Sequence, residues 1–183
     1  RYIPGGAHTY SRGRDQHPSN SPSIVLKGNG AYLYDSRGKK YLDYGMGLRS
    51  STIGYNNKKI NKGAIQQINY GNNLTKPSII ELKAAKKIVN LIPGADMVKF
   101  VKHGSNATTA AVKLARSYTK KEIICFPKEQ PFFSFDDWFI GVTQVKRGVL
   151  KKTTSYSKMF HYNDISSLIK IFKKNPKNIA GVI

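Results

Sequence analysis

Hydrophobic residues in the second part of the chain alternate between helical spacing and short, continuous apolar runs. One helical face is formed by Ala107, Ala111, Leu114, Ala115 and Tyr118. Helices are predicted over residues 78–91, 106–119 and 164–174, and strands over residues 97–101, 122–126 and 178–183. This alternation predicts the α/β class with a largely parallel sheet, in which a ligand lies at the carboxyl ends of the strands.

The first part of the chain has a different pattern. A leader rich in Gly, Pro and Ser precedes a stretch from Ile24 to Tyr44 that predicts a β-hairpin turning at residues 35–38. A helix is predicted from Lys58 to Tyr70. We therefore divide the chain into an N-terminal lobe over residues 1–70 and an α/β domain over residues 71–183.

The turn before the helix at residues 106–119 is the strongest candidate for a binding site. Gly104 supplies the backbone freedom of a tight turn, and Ser105 or Asn106 can cap the helix. A helix N-terminus has free N–H groups and the positive end of the helix dipole, which together favour a phosphate group. An ordinary βα turn without a ligand has the same local pattern.

Several segments in chain order carry the motifs of one family. They are Pro4–Arg12, Gly30–Tyr44 with the pattern G-x-x-L-x-D-x-x-G-x-x-Y-x-D, Ile92–Phe100, the turn Gly104–Ala107, and Ala111–Thr119 with the sequence A-V-K-L-A-R-S-Y-T. These segments resemble the class III aminotransferase family, which comprises pyridoxal 5′-phosphate (PLP) enzymes of fold type I. Within the family, the resemblance is closest to glutamate-1-semialdehyde 2,1-aminomutase and its aminotransferase relatives.

The resemblance implies the N-terminal part of the PLP-dependent aminotransferase fold. This part would comprise a small hairpin lobe and the first portion of a mostly parallel α/β large domain, incomplete at residue 183. The implied cofactor is PLP. Its phosphate would be held by Gly104, Ser105 and Asn106, the residues of the turn described above.

The aromatic segment that follows would supply the contact with the cofactor ring. By the resemblance, Phe132 would stack on the pyridine, with Phe133 as the alternative, although such a run is also typical of core packing. Adjacent side chains point apart in regular structure, so Asp136 and Asp137 do not form a paired-carboxylate site. They are interpreted as turn or capping residues.

Substrate recognition is implied at the leader. Pro4–Arg12 aligns with an aminomutase segment whose arginine binds the substrate carboxylate, so Arg12 is the candidate clamp and Thr9 its hydroxyl companion. A solvated arginine in a mobile leader is the alternative. Leu48 stands where the aminomutases have a tryptophan. Together with the Phe132–Phe133 segment, it favours an alternative function, an intermolecular aminotransferase acting on a sugar or another substrate that is not the semialdehyde.

The resemblance also implies what the complete enzyme does. It would transfer an amino group on a small amino or carbonyl substrate, or shift it between adjacent carbons of glutamate semialdehyde. The family's Schiff-base lysine, and the aspartate that pairs with the pyridine nitrogen, lie downstream of the strand at residues 178–183. We therefore expect an N-terminal portion of a longer enzyme, inactive alone. The complete enzyme is expected to be a cytoplasmic homodimer.

The charge balance raises an alternative of another class. The 183 residues include 31 Lys and Arg against 10 Asp and Glu, a net charge of +21, which favours nonspecific binding to nucleic acid. A basic nucleic-acid-binding domain is therefore considered, but the lysines are spread along the chain and no recognised motif occurs. We expect no specific nucleic acid partner, no metal and no membrane span. The single Cys125 is compatible with a reducing compartment.

Overall fold

The computed structural model describes residues 2–130 and 132–183. They fold as two compact units, one extending to Ser78 and the other over Ile79–Ile183. Across these described residues, no helix combines the length and the apolar character needed to cross a membrane.

The first unit contains a three-stranded antiparallel meander. Its strands are β1 (Val25–Asn29), β2 (Tyr32–Asp35) and β3 (Lys40–Leu42), in the order β1-β2-β3. The predicted turn at residues 35–38 is confirmed, because the Asp35 carboxylate accepts the backbone N–H groups of Arg37 and Lys39, each at 2.9 Å. The short α1 (Met46–Arg49) and the helix α2 (Lys58–Asn69) follow, and the Asn57 side chain caps α2 by accepting from Lys59 and Ile60.

Tyr55 stabilises the end of this meander by hydrogen bonds and by packing of its ring. Its backbone N–H and C=O pair with Gly30 at 2.8 and 2.9 Å, and its hydroxyl donates to the Asp43 carboxylate at 2.5 Å. The ring lies directly over Gly28, where an added Cβ would approach to 2.5 Å. Gly28 is therefore required by this close approach, and any side chain there would displace Tyr55.

The second unit is built on a parallel sheet. Its strands are β4 (Ile123–Pro127), β5 (Ser157–Phe160) and β6 (Ile179–Val182), with β4 in the centre. The helices of this unit, in chain order, are α3 (Ile79–Leu91), α4 (Gly104–Thr119), α5 (Asp137–Ile140), α6 (Lys151–Thr154) and α7 (Ile165–Lys174). The predicted α/β class with a parallel sheet is confirmed.

The sheet is covered on both faces, as the apolar run of β4 requires. On one face, Val112 of α4 packs with Ile124 and Phe126 of β4 and with a cluster of aromatic rings. On the other face, Ile123 and Cys125 pack against α7 and Phe160. Side chains alternate in direction along a strand, so a continuous apolar run supplies both of these cores.

One predicted strand is wrong. Residues 95–101 form no regular structure, and the Met97 side chain is 89% exposed. A strand needs a neighbouring strand to complete its backbone hydrogen bonds, and β4, β5 and β6 pair with one another rather than with this segment. The apolar composition of residues 97–101 shows only a preference for extended backbone.

Candidate functional site

The first turn of α4 leaves backbone donors free. The helix begins at Gly104 rather than at residue 106, and the carbonyl of His103 accepts from the N–H groups of Asn106 and Ala107 at 3.0 and 3.3 Å. The N–H groups of Gly104 and Ser105 donate to no acceptor among residues 2–130 and 132–183. The predicted cap at Ser105 or Asn106 is therefore wrong, since His103 occupies the N-cap and both residues lie inside the helix.

Ser105 joins this helix end to the aromatic segment. It is 5% exposed, and its hydroxyl oxygen accepts the N–H of Phe135 at 3.2 Å. One turn further on, the hydroxyl of Thr108 donates to the carbonyl of Phe133 at 2.9 Å. The structure thus brings residues 132–136, which we term the aromatic loop, against the N-terminal turns of α4.

A partly buried group of polar side chains continues this contact. The carboxylate of Asp136 accepts from the hydroxyls of Thr109 at 2.5 Å and Ser134 at 3.2 Å. The indole N–H of Trp138 donates to Thr109 at 2.8 Å. Asp136 occupies the N-cap of α5, which confirms it as a capping residue, but its carboxylate makes no capping bond and is turned to α4 instead.

The two candidate stacking residues differ in environment. Phe133 packs edge-on against Phe126 and Phe139, with centroids 6.3 and 5.7 Å apart, and belongs to the core. Phe132 is 56% exposed, and its ring lies edge-on to Phe139 with the centroids 6.2 Å apart. An aromatic ring must keep one face free to stack on a ligand, so this difference favours Phe132.

The geometry of the N-terminal end of α4 fits a phosphate group. A Cβ at Gly104 would meet nothing within 4 Å, so open space lies beside the two free N–H groups. The nearby Asp136 carboxylate is turned to Thr109 and Ser134, which limits its repulsion of an anion. The imidazole of His103 packs against Phe135 at a centroid distance of 5.3 Å and flanks the same helix end.

The candidate substrate residues lie in the first unit. Arg12 ends a short 3₁₀ turn over Tyr10–Arg12, and Thr9 is its N-cap without a side-chain capping bond. Both side chains are exposed. Their assignment to a carboxylate stays a prediction.

Leu48 lies in an unusual turn. Met46, Gly47, Leu48 and Arg49 all have φ between 46° and 70°, a left-handed conformation that costs residues with a side chain about 1–2 kcal/mol each. The carboxylate of Asp43 holds the turn by accepting the backbone N–H groups of Gly45 and Gly47 at 2.9 and 3.3 Å. Burial would raise the pKa of Asp43, but the hydrogen bonds from Tyr55 and from the backbone outweigh it and lower that pKa.

A cavity of about 240 Å³ lies beside this turn and is lined in part by Asp43, Met46 and Tyr55.

A second ionisable pair lies at the carboxyl ends of β4 and β5. His161 Nδ1 is 2.7 Å from Glu129 Oε1, and Glu129 Oε2 accepts the N–H of Tyr162 at 2.9 Å. The backbone hydrogen bond from Tyr162 and the contact with His161 lower the pKa of Glu129 to about 2. Among the described residues, this is the only contact within 4.0 Å between a basic side chain and a carboxylate, and it involves no lysine or arginine. No group of three His, Cys, Asp or Glu suited to a metal occurs in that same part of the chain.

The Glu129 pair predicts how stability depends on acid. The pKa of Glu129 is lower in the folded state than its ordinary value of 4.5, so the unfolded chain takes up this proton first. The stabilisation is complete above pH 4.5 and is lost as the pH falls from there towards 2. We expect the melting temperature of Glu129→Gln to fall less over this interval than that of the wild-type chain. Equal acid sensitivity of the two chains by circular dichroism would contradict this role of Glu129.

Comparison with known proteins identifies the family. Residues 14–180 match the model of the family Aminotransferase class-III. The chain therefore belongs to the class-III aminotransferase family, and the resemblance described from the sequence is confirmed.

The relatives include both kinds of enzyme implied by the sequence. The chain is 31% identical to a glutamate-1-semialdehyde 2,1-aminomutase from Persephonella marina, covering 100% of this chain and 44% of that protein. It is 32% identical to a 3-aminobutyryl-CoA aminotransferase from Cloacimonas acidaminovorans, covering 99% and 42%. The chain thus spans less than half the length of these relatives.

A solved structure shows the same fold. The PLP internal aldimine form of the FumI protein from Sphingopyxis sp. MTA144 superposes with a TM-score of 0.91 at 30% identity, over 100% of this chain and 43% of that one. The expected aminotransferase fold, present as a portion of that larger structure, is confirmed.

Proposed function

We propose that this chain holds the phosphate and ring of PLP for an amino-group transfer or shift carried out by a longer protein. The observation that carries the proposal is the end of α4, where two free N–H groups and an open space at Gly104 meet the aromatic loop. Family membership and the PLP-bound state of the FumI structure support the choice of cofactor.

Each residue has a defined part in this proposal. The N–H groups of Gly104 and Ser105 donate to the phosphate, and the Ser105 hydroxyl has a proton free for the same group, because its oxygen serves only as an acceptor for Phe135 among the described residues. Asn106 lies next in the same helical turn. Phe132 offers an exposed face to the pyridine. When bound, PLP supplies an electron-accepting ring that stabilises negative charge at a substrate carbon.

Substrate binding and assembly belong to the same proposal. Arg12 would clamp a carboxylate with Thr9 beside it, and the substrate would be a small amino or carbonyl compound. An intermolecular aminotransferase is the second candidate, favoured by Leu48 at the tryptophan position and by the aminotransferase relative. The proposal also includes a domain boundary at residue 70 and a homodimeric complete enzyme. A cytoplasmic location completes it, and the single, unpaired Cys125 supports that location.

A ligand titration tests the proposal. We expect the 183-residue chain to bind PLP, with inorganic phosphate competing and pyridoxal, which lacks the phosphate, binding much more weakly. Binding is followed by PLP absorbance and by ³¹P NMR. Borohydride treatment followed by peptide mapping is expected to label no single lysine. Failure to bind PLP, or indifference to competing phosphate, would reject the site, and stoichiometric labelling of one lysine would place the catalytic residue inside the chain.

A further inference from the structure

The two halves of the proposed PLP site come from segments far apart in the sequence. The phosphate end is the first turn of α4, and the ring end is the aromatic loop, residues 132–136. Thr109 and Asp136, whose side chains join them, are 27 residues apart. A ligand that spans both halves requires their spacing to be fixed before it binds, so whatever fixes this spacing controls affinity.

The hydrogen bonds between the two segments have a defined direction. An indole N–H can only donate, so the Trp138 Nε1 bond to Thr109, at 2.8 Å, makes the threonine oxygen an acceptor. The single proton of that hydroxyl then goes to the Asp136 carboxylate at 2.5 Å. A carboxylate completes this chain because it accepts without donating, and bonds to a charged group are stronger than neutral ones.

Two further members of this network are buried. Ser134 is fully buried and Trp138 is 5% exposed. Ser134 uses its hydroxyl twice, donating to Asp136 at 3.2 Å and accepting the backbone N–H of Asp136 at 3.0 Å. The loop backbone is thus linked, through the Ser134 hydroxyl, to the same carboxylate that binds α4. By contrast, Asp137 is exposed.

We infer that Asp136 is a positioning residue that fixes the aromatic loop against α4, so that one PLP molecule reaches both the helix end and the ring of Phe132. The inference rests on the proposed function. Asp136 itself touches neither end of the ligand in this arrangement, because its carboxylate is occupied by Thr109 and Ser134. Its removal should loosen the loop while the helix N-terminus stays formed.

The test compares two ligands of different reach. Inorganic phosphate needs only the helix end, whereas PLP also needs the loop. We expect Asp136→Asn and Thr109→Val to weaken PLP binding about tenfold or more, the size of a lost bond to a charged group, with phosphate affinity unchanged. Thr109→Ser keeps the hydroxyl and should restore PLP affinity. Asp137→Asn, the same change at the neighbouring exposed residue, is the matched control and should bind PLP like the wild type.

The outcomes separate this inference from the proposed function. If the wild-type chain binds no PLP, the proposed function fails and the inference with it. If the wild type binds PLP and Asp136→Asn binds it equally well, only the inference is overturned. Equal loss of PLP and phosphate also overturns it, because the helix end would then depend on Asp136. Ser134→Ala serves if the other variants do not fold, and it should show the same selective loss of PLP.

Discussion

Replacing Gly104 with aspartate is expected to weaken the binding of phosphate and of PLP by about 100-fold or more without destabilising the fold. The new side chain would enter open space, since a Cβ there meets nothing within 4 Å, and the residue is not in the left-handed region. Two unit charges about 4 Å apart repel by about 4 kcal/mol near a protein surface. A carboxylate in the first turn of a helix, however, stabilises the helix by about 0.3–1 kcal/mol.

The opposite signs of the two effects make this substitution informative. Gly104→Asn has nearly the same shape without the charge, so it shows the steric cost alone and should bind PLP much more tightly than Gly104→Asp. Affinity is measured by titration at low and moderate salt, because screening should reduce the difference between the two variants. Thermal unfolding should show Gly104→Asp at least as stable as the wild type. Wild-type affinity in this stable variant would mean that the phosphate binds elsewhere.

The sequence pattern predicts the parts of the fold that depend on local signals. The run Ile123–Phe126 is continuous and apolar, and it forms the central strand. Asp164 precedes an amphipathic stretch, and it caps α7 by accepting the N–H of Ser167 at 3.2 Å. In both places, the residues that favour the element are also the residues that stabilise it, so pattern and structure agree.

The errors have a common origin in interactions between distant segments. Residues 97–101 have the composition of a strand, yet no described strand pairs with them. The opposite error concerns β5, Ser157–Phe160. Its partly polar sequence predicts no strand, but its backbone pairs with β4 and is extended for that reason. Backbone hydrogen bonds to a neighbouring strand, rather than composition, decide which extended segments become strands.

The residues of the candidate site also differ in whether a local pattern predicts them. Gly104, Ser105 and Asn106 could be proposed from the turn before a helix, which is a local pattern. The network from Trp138 through Thr109 to Asp136 could not, because Thr109 lies 27 residues from Asp136 and 29 from Trp138 in the sequence. An aspartate next to another aspartate before a short helix indicates a cap. Only the packed structure shows that the Asp136 carboxylate bonds to α4 instead.

Alanine at Phe126 and at Phe132 should separate the role of the core from that of the site. Phe126 is 1% exposed and lies 5.2 to 6.3 Å from the rings of Phe133, Trp138 and Phe139. Its truncation leaves a cavity, so we expect Phe126→Ala to lower the free energy of unfolding by about 3–5 kcal/mol. This loss is a large share of the roughly 5–15 kcal/mol that stabilises a typical domain.

Phe132→Ala is the matched substitution in the same aromatic segment. Phe132 is 56% exposed, so its loss should change the free energy of unfolding by less than about 1 kcal/mol. If its ring stacks on the pyridine, PLP binding should weaken by about tenfold while inorganic phosphate binds as before. Denaturant unfolding and the two titrations measure these effects. Unchanged PLP affinity in Phe132→Ala would remove Phe132 from the site. Equal destabilisation by the two substitutions would instead place its ring in the core, where it could not present a free face to the cofactor.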